Sequence, residues 1–486
     1  MHDNATVAKA TLHAATRGAP QPRVFISAAH KSSGKTTLTL GLCAALRARG
    51  TIVQPFKKGP DYIDPMWLGV AAGRPCYNLD FHMMSDAEIG GGFARWATDA
   101  DISLIEGNKG LYDGLDLHGS NSNAALAKRL GAPVVLVIDA RGMTRGIAPL
   151  LLGYQAFDRD VRIAGVILNH VGGSRHEGKL RAVIEHYTDI EVLGAVPHDP
   201  DMAITERHLG LVPANEADAA RAKIARVADR VAQSVDLPRL VLLAGDVAEV
   251  VCGPRATPDT VWDPVRIGIA RDRAFGFYYS EDIDTLREQG AELIALDLIT
   301  DTRLPELDGL IIGGGFPEVF MAGLEANVAL RTQIASAIRG GLPTYAECGG
   351  LMYLSRSITW QGRTHAMVGV VEGDTVMHDR PVGRGYARLD PTGIDPWAET
   401  ESIPAHEFHY SSLENLPRDA RFAYRVTRGH GIDGHHDGYL YRNLLAAYVH
   451  RRGSGPRGWI KPFLEQVRAQ KGRTHDNPNR LMERTQ

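Results

Sequence analysis

The sequence predicts two α/β domains in tandem, each built on a doubly wound, largely parallel sheet. Three observations predict this class. The chain has 486 residues, too many for one hydrophobic core, which stops growing near about 250–300 residues. Short apolar, β-branched runs alternate with amphipathic stretches in two separate series, as strands buried on both faces of a parallel sheet require. Each series also carries a glycine-rich turn between a strand-like run and a helix, where such folds build their sites.

Composition narrows the function classes. Hydrophobic residues make up 44% and charged residues 23%, an ordinary globular balance. A formal net charge of -3 supplies no field to draw nucleic acid or an anionic membrane. No run approaches the about 18–20 apolar residues that cross a bilayer. Residues 1–22 lack the apolar centre of a signal peptide and read as disordered. Cys43, Cys76, Cys252 and Cys348 are scattered without a Cys-x-x-Cys pair. That argues against a zinc site or a disulfide framework and fits a cytoplasmic protein.

The first domain is expected over residues 23–232. Its strands are "RVFISAA", "ISLIEG", "PVVLVIDA", "RIAGVILNH" and "EVLGAVP". Between the first run and the helix "KTTLTLGLCAALRARG" lies "AAHKSSGKTT", which matches a phosphate-binding loop except for Ala29 at the first glycine position. Ser33, Gly34, Lys35, Thr36 and Thr37 are the candidate ATP-binding residues. In such a loop backbone N–H groups curl around phosphate oxygens, the lysine reaches the outer phosphates, and the first hydroxyl ligates Mg²⁺. Asp61 and Asp64 in "KKGPDYIDP" and Glu106 closing "LIE" add carboxylates. Acidic groups beside a triphosphate make sense with Mg²⁺ between them, so Thr36 and Glu106 are the candidate metal ligands. For Asp61 and Asp64, capping or turn formation is the competing reading. Asn169 at the end of "GVILN" can face an adenine edge or simply close a strand.

Residues 233–264, punctuated by Pro238, Pro254, Pro258 and Pro264, read as a linker with some structure of its own. The second domain is expected over 265–467, with a polar tail at 468–486. "PTYAECGGLMYL" is a strand, a sharp turn with Cys348 at its tip, then glycines opening a helix. That is nucleophile-elbow patterning, which exposes the thiol and frees N–H groups for an oxyanion hole. Gly349, with Gly314 and Gly315 from "IIGGGFPE", would form that hole. His450, ending "LLAAYVH", is the candidate base among nineteen histidines. His409, with Tyr410 beside it in "HEFHYS", is the fallback.

Together "KSSGKTT", "FKKGPDYIDP", "IEGNKGLYDG", "RHLGLVPANE", "GGGFPE", "ECGGLMYL" and "HEFHYSSL" resemble the cobyrinic acid a,c-diamide synthase family, in the family's order, from about residue 23 to 465. The resemblance implies a dethiobiotin-synthetase-like P-loop domain followed by a flavodoxin-like class I glutamine amidotransferase domain. It implies ATP, Mg²⁺ and L-glutamine, and a tetrapyrrole whose acetate carboxylates are activated as acyl phosphates and amidated. Asp61, Tyr62 and Asp64 match the loop that serves activation, Cys348 and His450 the glutaminase pair. Where the class I triad carries a glutamate two residues after its histidine, this chain has Arg452, so a Cys–His pair without a carboxylate is expected. Asn108 and Lys109, and Phe81 where the family usually has proline, also depart from the family pattern, and Lys109, Asn108 and His82 would suit an acceptor with a different set of acidic side chains. The resemblance makes cobyrinic or hydrogenobyrinic acid the default acceptor, with nickel-sirohydrochlorin or siroheme open as alternatives, as is a non-catalytic tetrapyrrole carrier. The sequence does not decide between mono- and diamidation, nor between a monomer and a homodimer.

Overall fold

The computed structural model describes residues 21–204, 206–207, 210–211, 220–248, 262–397 and 399–475. The expected disordered segment up to residue 20, most of "RHLGLVPANE", residues 249–261 of the linker and 476–486 of the tail lie outside the described residues.

The N-terminal half alternates strand and helix: β1 (Arg23–Ala28), α1 (Lys35–Ala48), β2 (Val53–Lys58), α2 (Ile63–Ala72), β3 (Tyr77–Leu79), α3 (Asp86–Ala97), β4 (Ile102–Glu106), α4 (Asn123–Leu130), β5 (Val134–Asp139), α5 (Ile147–Phe157), β6 (Ile163–Val171), α6 (Ser174–Tyr187) and β7 (Glu191–Pro197). Among the described residues these strands form one sheet in the order β3-β2-β4-β1-β5-β6-β7, with every pairing parallel. β1 and β4 are buried along their whole length, which is why their sequences run apolar rather than alternating. Ser85 and Glu88 close a reciprocal capping box on α3, and Ser122 caps α4 by accepting from Ala125 N. After a short ribbon of β8 (Glu206–Arg207) and β9 (Gly210–Leu211) come α7 (Ala220–Ser234) and α8 (Leu237–Gly245). The expected linker is thus helical over Leu237–Gly245. Leu237, Leu240, Leu243 and Ala244 of α8 are buried in the core of the first sheet, because their three-residue spacing makes one apolar helix face.

The second half begins with β10 (Val265–Ala270), β11 (Phe275–Phe277), α9 (Ser280–Glu288), β12 (Ala291–Leu296), β13 (Gly309–Ile312), β14 (Gly314–Gly315), α10 (Pro317–Ala326), α11 (Val328–Gly340), β15 (Thr344–Glu347) and α12 (Gly349–Leu354). It continues with β16 (Ser357–Trp360), β17 (Arg363–Ala366), β18 (Asp374–Met377), β19 (Gly383–Pro391), β20 (Ile403–His409), β21 (Ser411–Glu414), β22 (Arg421–Arg428), β23 (His436–Tyr441), β24 (Leu444–Ala447), β25 (His450–Arg451) and α13 (Ile460–His475). The main sheet runs β12-β10-β13-β15-β24-β23-β22-β19-β20-β25. Its first five strands are parallel and stand in the flavodoxin-like order. The rest is an antiparallel extension. α13 continues past residue 467 into the expected tail. Arg468 lies over the Trp262 ring, and Lys471 reaches Asp308 at 2.8 Å, so polar residues here hold a helix on the sheet.

The two halves share apolar packing. Tyr62 from the first half is buried in one cluster with Phe277, Tyr279 and Phe316 from the second.

Candidate active site

Two groups of reactive residues stand at the carboxyl ends of the two parallel sheets, where such folds bind ligands. In the first, the turn after β1 enters α1 through Gly34, whose φ is 86°. A Cβ there would lie 2.2 Å from Asn169 Nδ2, so both the backbone hand and the space demand glycine. Asn169, read from the sequence as an adenine contact or a strand-end residue, turns its amide nitrogen to Ser33 O at 2.9 Å. It braces the loop. Ser33 is buried and donates to His30 O at 2.8 Å, while Thr37 stands in the first turn of α1. Burial and the neighbouring Lys57 push the Lys35 amine down to about 8, against Glu106, Asp64 and Asp113.

Thr36 donates to Glu106 Oε1 at 2.6 Å and to Asp64 Oδ2 at 3.3 Å. Glu106 Oε2 is buried without a hydrogen-bond partner. A hydroxyl and a carboxylate with a spare oxygen, at the mouth of a phosphate loop, fit a Mg²⁺ that takes its other ligands from phosphate and water. Burial raises the Glu106 carboxyl above its usual range despite Lys57.

Lys57, which the sequence reading did not single out, sits at the centre. Its ammonium lies 2.5 Å from Asp64, 2.9 Å from Glu106 and 4.0 Å from Asp61. Burial opposes its charge, but Asp64, Glu106 and Asp61 outweigh that and hold it well above the ordinary lysine value. Asp61 has two tasks: Oδ1 accepts from Ile63 N and Asp64 N at the start of α2, and Oδ2 faces Lys57. Burial and Asp64 push its carboxyl up to about 7; with a third of the side chain exposed, solvent screens part of that effect. Capping and site chemistry are therefore not alternatives for this residue.

In the second group, Cys348 joins β15 to α12 with φ 47° and ψ −102°, a strained conformation held by its N–H bond to Ala447 O at 2.7 Å. Gly350 lets the turn close, since a Cβ there would meet Ile312 O at 2.1 Å. Gly349 lies against Gly315 N, and Gly314 against the His450 ring, so the expected oxyanion glycines do converge on the cysteine.

His450 is buried and feels the charge of Cys348. Burial lowers its pKa, but Cys348 and Glu347 reverse this and push it up to about 10. The expectation of a cysteine–histidine pair without a carboxylate is overturned. Glu347 Oε2, from the residue before Cys348 and not from position 452, lies 3.3 Å from His450 Nδ1. Arg452 turns away to Glu88 at 2.5 Å and Glu281 at 2.7 Å.

His409 does not join this group. Its Nδ1 faces Ser411 O at 2.8 Å, its Nε2 faces Glu407 at 3.4 Å, and its ring stacks on Tyr448. The neighbouring Tyr410 is half-buried, and its carbonyl accepts from His378 N. The histidine that does belong is His406, three residues earlier, paired opposite His450 across β20 and β25. Their rings stack at 5.0 Å, and the Tyr279 hydroxyl lies 3.3 Å from His406 Nδ1. Burial, with His450 beside it, holds His406 well below the ordinary imidazole value. Period-two alternation in "IPAHEFH" separated His406 from Glu407 by face, and was the signal available in the sequence.

Tyr62 also changes sides. Its neighbours Asp61 and Asp64 face Lys57, yet its ring lies 5.0 Å from His450 and 4.5 Å from Tyr279. Further interdomain contacts surround it: Tyr77 donates to Asp284 at 2.7 Å, Tyr386 to Asp80, and His82 Nε2 lies 3.0 Å from Ala387 O. His82 is thus an interdomain contact. Between α2 and α9 a cavity of about 480 Å³ opens, lined by Tyr62, Arg74, Arg271 and Arg287 among others.

Residues 25–212 match the model of the CobQ/CobB/MinD/ParA nucleotide binding domain, and residues 266–454 that of the CobB/CobQ-like glutamine amidotransferase domain. By class, the chain is a nucleotide-binding domain joined to a glutamine amidotransferase domain. It is 46% identical over 463 residues to the cobyrinate a,c-diamide synthase of Magnetococcus marinus, covering 93% of this chain and 98% of that one. The enzymes of the same name from Methanosarcina acetivorans and Archaeoglobus fulgidus are 42% and 40% identical over 464 residues, covering 89% and 93% of this chain and 92% and 98% of theirs. The chain belongs to the cobyrinate a,c-diamide synthase family.

Proposed function

We propose that this protein uses ATP and glutamine to convert two acetate carboxylates of cobyrinic acid into amides. The observation that carries the reading is the pairing of a buried, electrostatically coupled Cys348–His450 centre with a P-loop carboxylate cluster, separated by the Tyr62 ring. Cobyrinate a,c-diamide synthase is the name borne by the relatives, which match nearly the full chain; nothing observed favours siroheme, nickel-sirohydrochlorin or a carrier role. Both half-sites are built as reactive centres, which a carrier has no use for.

In the glutaminase half, the Cys348 thiolate adds to the glutamine side-chain amide, Gly315 and Gly349 N–H groups receive the developing oxyanion, and His450 gives its proton to the departing ammonia. Water then releases glutamate from the thioester. In the other half, the acceptor carboxylate attacks the outer phosphorus of ATP and ADP leaves. Ammonia displaces phosphate from the resulting acyl phosphate. Gly34, Lys35 and Thr36 hold the triphosphate, with Ser33 and Thr37 flanking. Bound Mg²⁺ would neutralise phosphate charge, with Thr36 and Glu106 as its protein ligands. Asp61, Asp64 and Lys57 position the reacting carboxylate end. The three arginines of the interdomain cavity suit an acceptor rich in carboxylates. Functional boundaries near 23–245 and 265–475 suit the two halves, since α8 packs in the first core and α13 runs past residue 467, and a homodimer is a separate matter for sedimentation.

The test is incubation with ATP, Mg²⁺, glutamine and, separately, cobyrinic acid, hydrogenobyrinic acid, nickel-sirohydrochlorin and siroheme, reading phosphate release and product mass. Two amides on cobyrinic acid are expected. Amidation of a different macrocycle alone would replace the acceptor, and glutamine hydrolysis without any amide would refute the tetrapyrrole reading.

A further inference from the structure

We propose that Glu347 is the acidic positioning residue of the glutaminase centre, fixing the orientation and tautomer in which His450 serves Cys348. The inference rests on the proposed glutaminase role of that pair. Four observations on separate residues carry it.

The carboxylate is anchored before it meets the histidine. Oε1 accepts from the Tyr345 hydroxyl at 2.5 Å and from Arg451 N at 3.0 Å, which leaves Oε2 for His450 Nδ1 at 3.3 Å. With Nδ1 turned to the carboxylate, Nε2 is the nitrogen left for the thiol, the arrangement a general acid needs. Glu347, Cys348 and His450 are all buried, so the contact acts in a low-dielectric setting where a fixed carboxylate strongly favours imidazolium.

The place two residues beyond the histidine cannot supply the acid, because Arg452 occupies it and binds Glu88 and Glu281. Other ionisable groups packed around His450 do not compete. Asp282 accepts from Gly453 N and Ser454 N, His406 stacks on the ring, and Tyr62 presents its face. The acid thus enters from the nucleophile's own strand, one residue before the elbow. Any change in that strand moves nucleophile and acid together.

Glu347→Gln and Glu347→Asp in the full chain test this, read as glutaminase activity and as amidation driven either by glutamine or by ammonium chloride. Glu347→Gln should lower glutaminase kcat by about 10- to 1,000-fold, below the effect of losing the acid of a serine triad, with KM within about threefold. Its alkaline limb should move to lower pH, since His450 loses a group that holds its proton. Glu347→Asp should recover part of the rate, and ammonium-driven amidation should be unchanged in both. Undiminished glutaminase in Glu347→Gln, or an unmoved alkaline limb, overturns the proposal. So does a parallel loss of ammonium-driven amidation, which assigns Glu347 to the fold. Failure of the acceptor assignment is distinguishable, because it removes amidation from the unaltered protein and leaves the glutaminase comparison intact.

Discussion

Lys57 shows how much one side chain settles. It faces three carboxylates from a loop, the first turn of α2 and a strand end, and without it Asp64 and Glu106 would oppose each other in a buried space. Lys57→Met should destabilise the protein by about 3 kcal/mol or more, the usual consequence of stranding a buried charge, visible as a lowered melting temperature. ATP-driven amidation should be lost with it. His450 gives a pH prediction of definite sign. Its folded-state pKa is raised to about 10 from an unfolded value of about 6.5. The stability it contributes is complete below about pH 6.5 and is lost as pH rises toward 10. Glutaminase activity should likewise hold through neutrality and fall on an alkaline limb near that value, which a rate–pH profile measures. The sequence showed Cys348 and His450 because their neighbours, glycines and a strand end, encode local geometry. It did not show Lys57 or Glu347, whose roles depend on what folding brings opposite them. Lysine in "VQPFKK" and glutamate before cysteine read as ordinary strand residues until their partners are in place.

At the scale of elements, the P-loop turn is set by one glycine and one asparagine. Gly34→Ala puts a Cβ into the left-handed region and against Asn169. It should cost about 1–2 kcal/mol and weaken ATP binding about tenfold, by titration calorimetry, while leaving glutaminase in place. The strands around this turn were legible because continuous apolar runs bounded by glycine have few other readings. α8 was not, since Pro238 inside "LPRLVLLAG" and Pro254, Pro258 and Pro264 beyond it masked its three-residue apolar spacing; Pro238 sits in the first turn, where proline is tolerated. Leu240 is fully buried there, so Leu240→Ala should cost about 2–5 kcal/mol by urea unfolding, a loss foreign to a linker. The half-exposed antiparallel strands β19 and β22 were missed for a similar reason: such strands alternate, and alternation is easily lost among polar turns.

For the whole molecule, the central feature is that the halves are interlocked at chemistry-bearing residues. Arg452 spans Glu88 of α3 and Glu281 of α9 two residues after His450. Arg452→Ala should loosen this closure and raise the glutamate released per amide formed, the quantity that distinguishes uncoupling from inactivation. Two-domain organisation was readable from length and the double strand series, but no local pattern announces a contact between Glu88 and residue 452.

Tyr62 carries a consequence for evolution and engineering. Its ring belongs by chain to the nucleotide half and by packing to the wall of the glutaminase centre. The two halves therefore cannot be exchanged like beads on a string. A foreign amidotransferase half grafted at residue 264 would have to bring a recess shaped by the counterparts of Phe277, Tyr279 and His406, or the tyrosine would have nowhere to go. Lineages that traded either half freely would be expected to change this loop and that recess together.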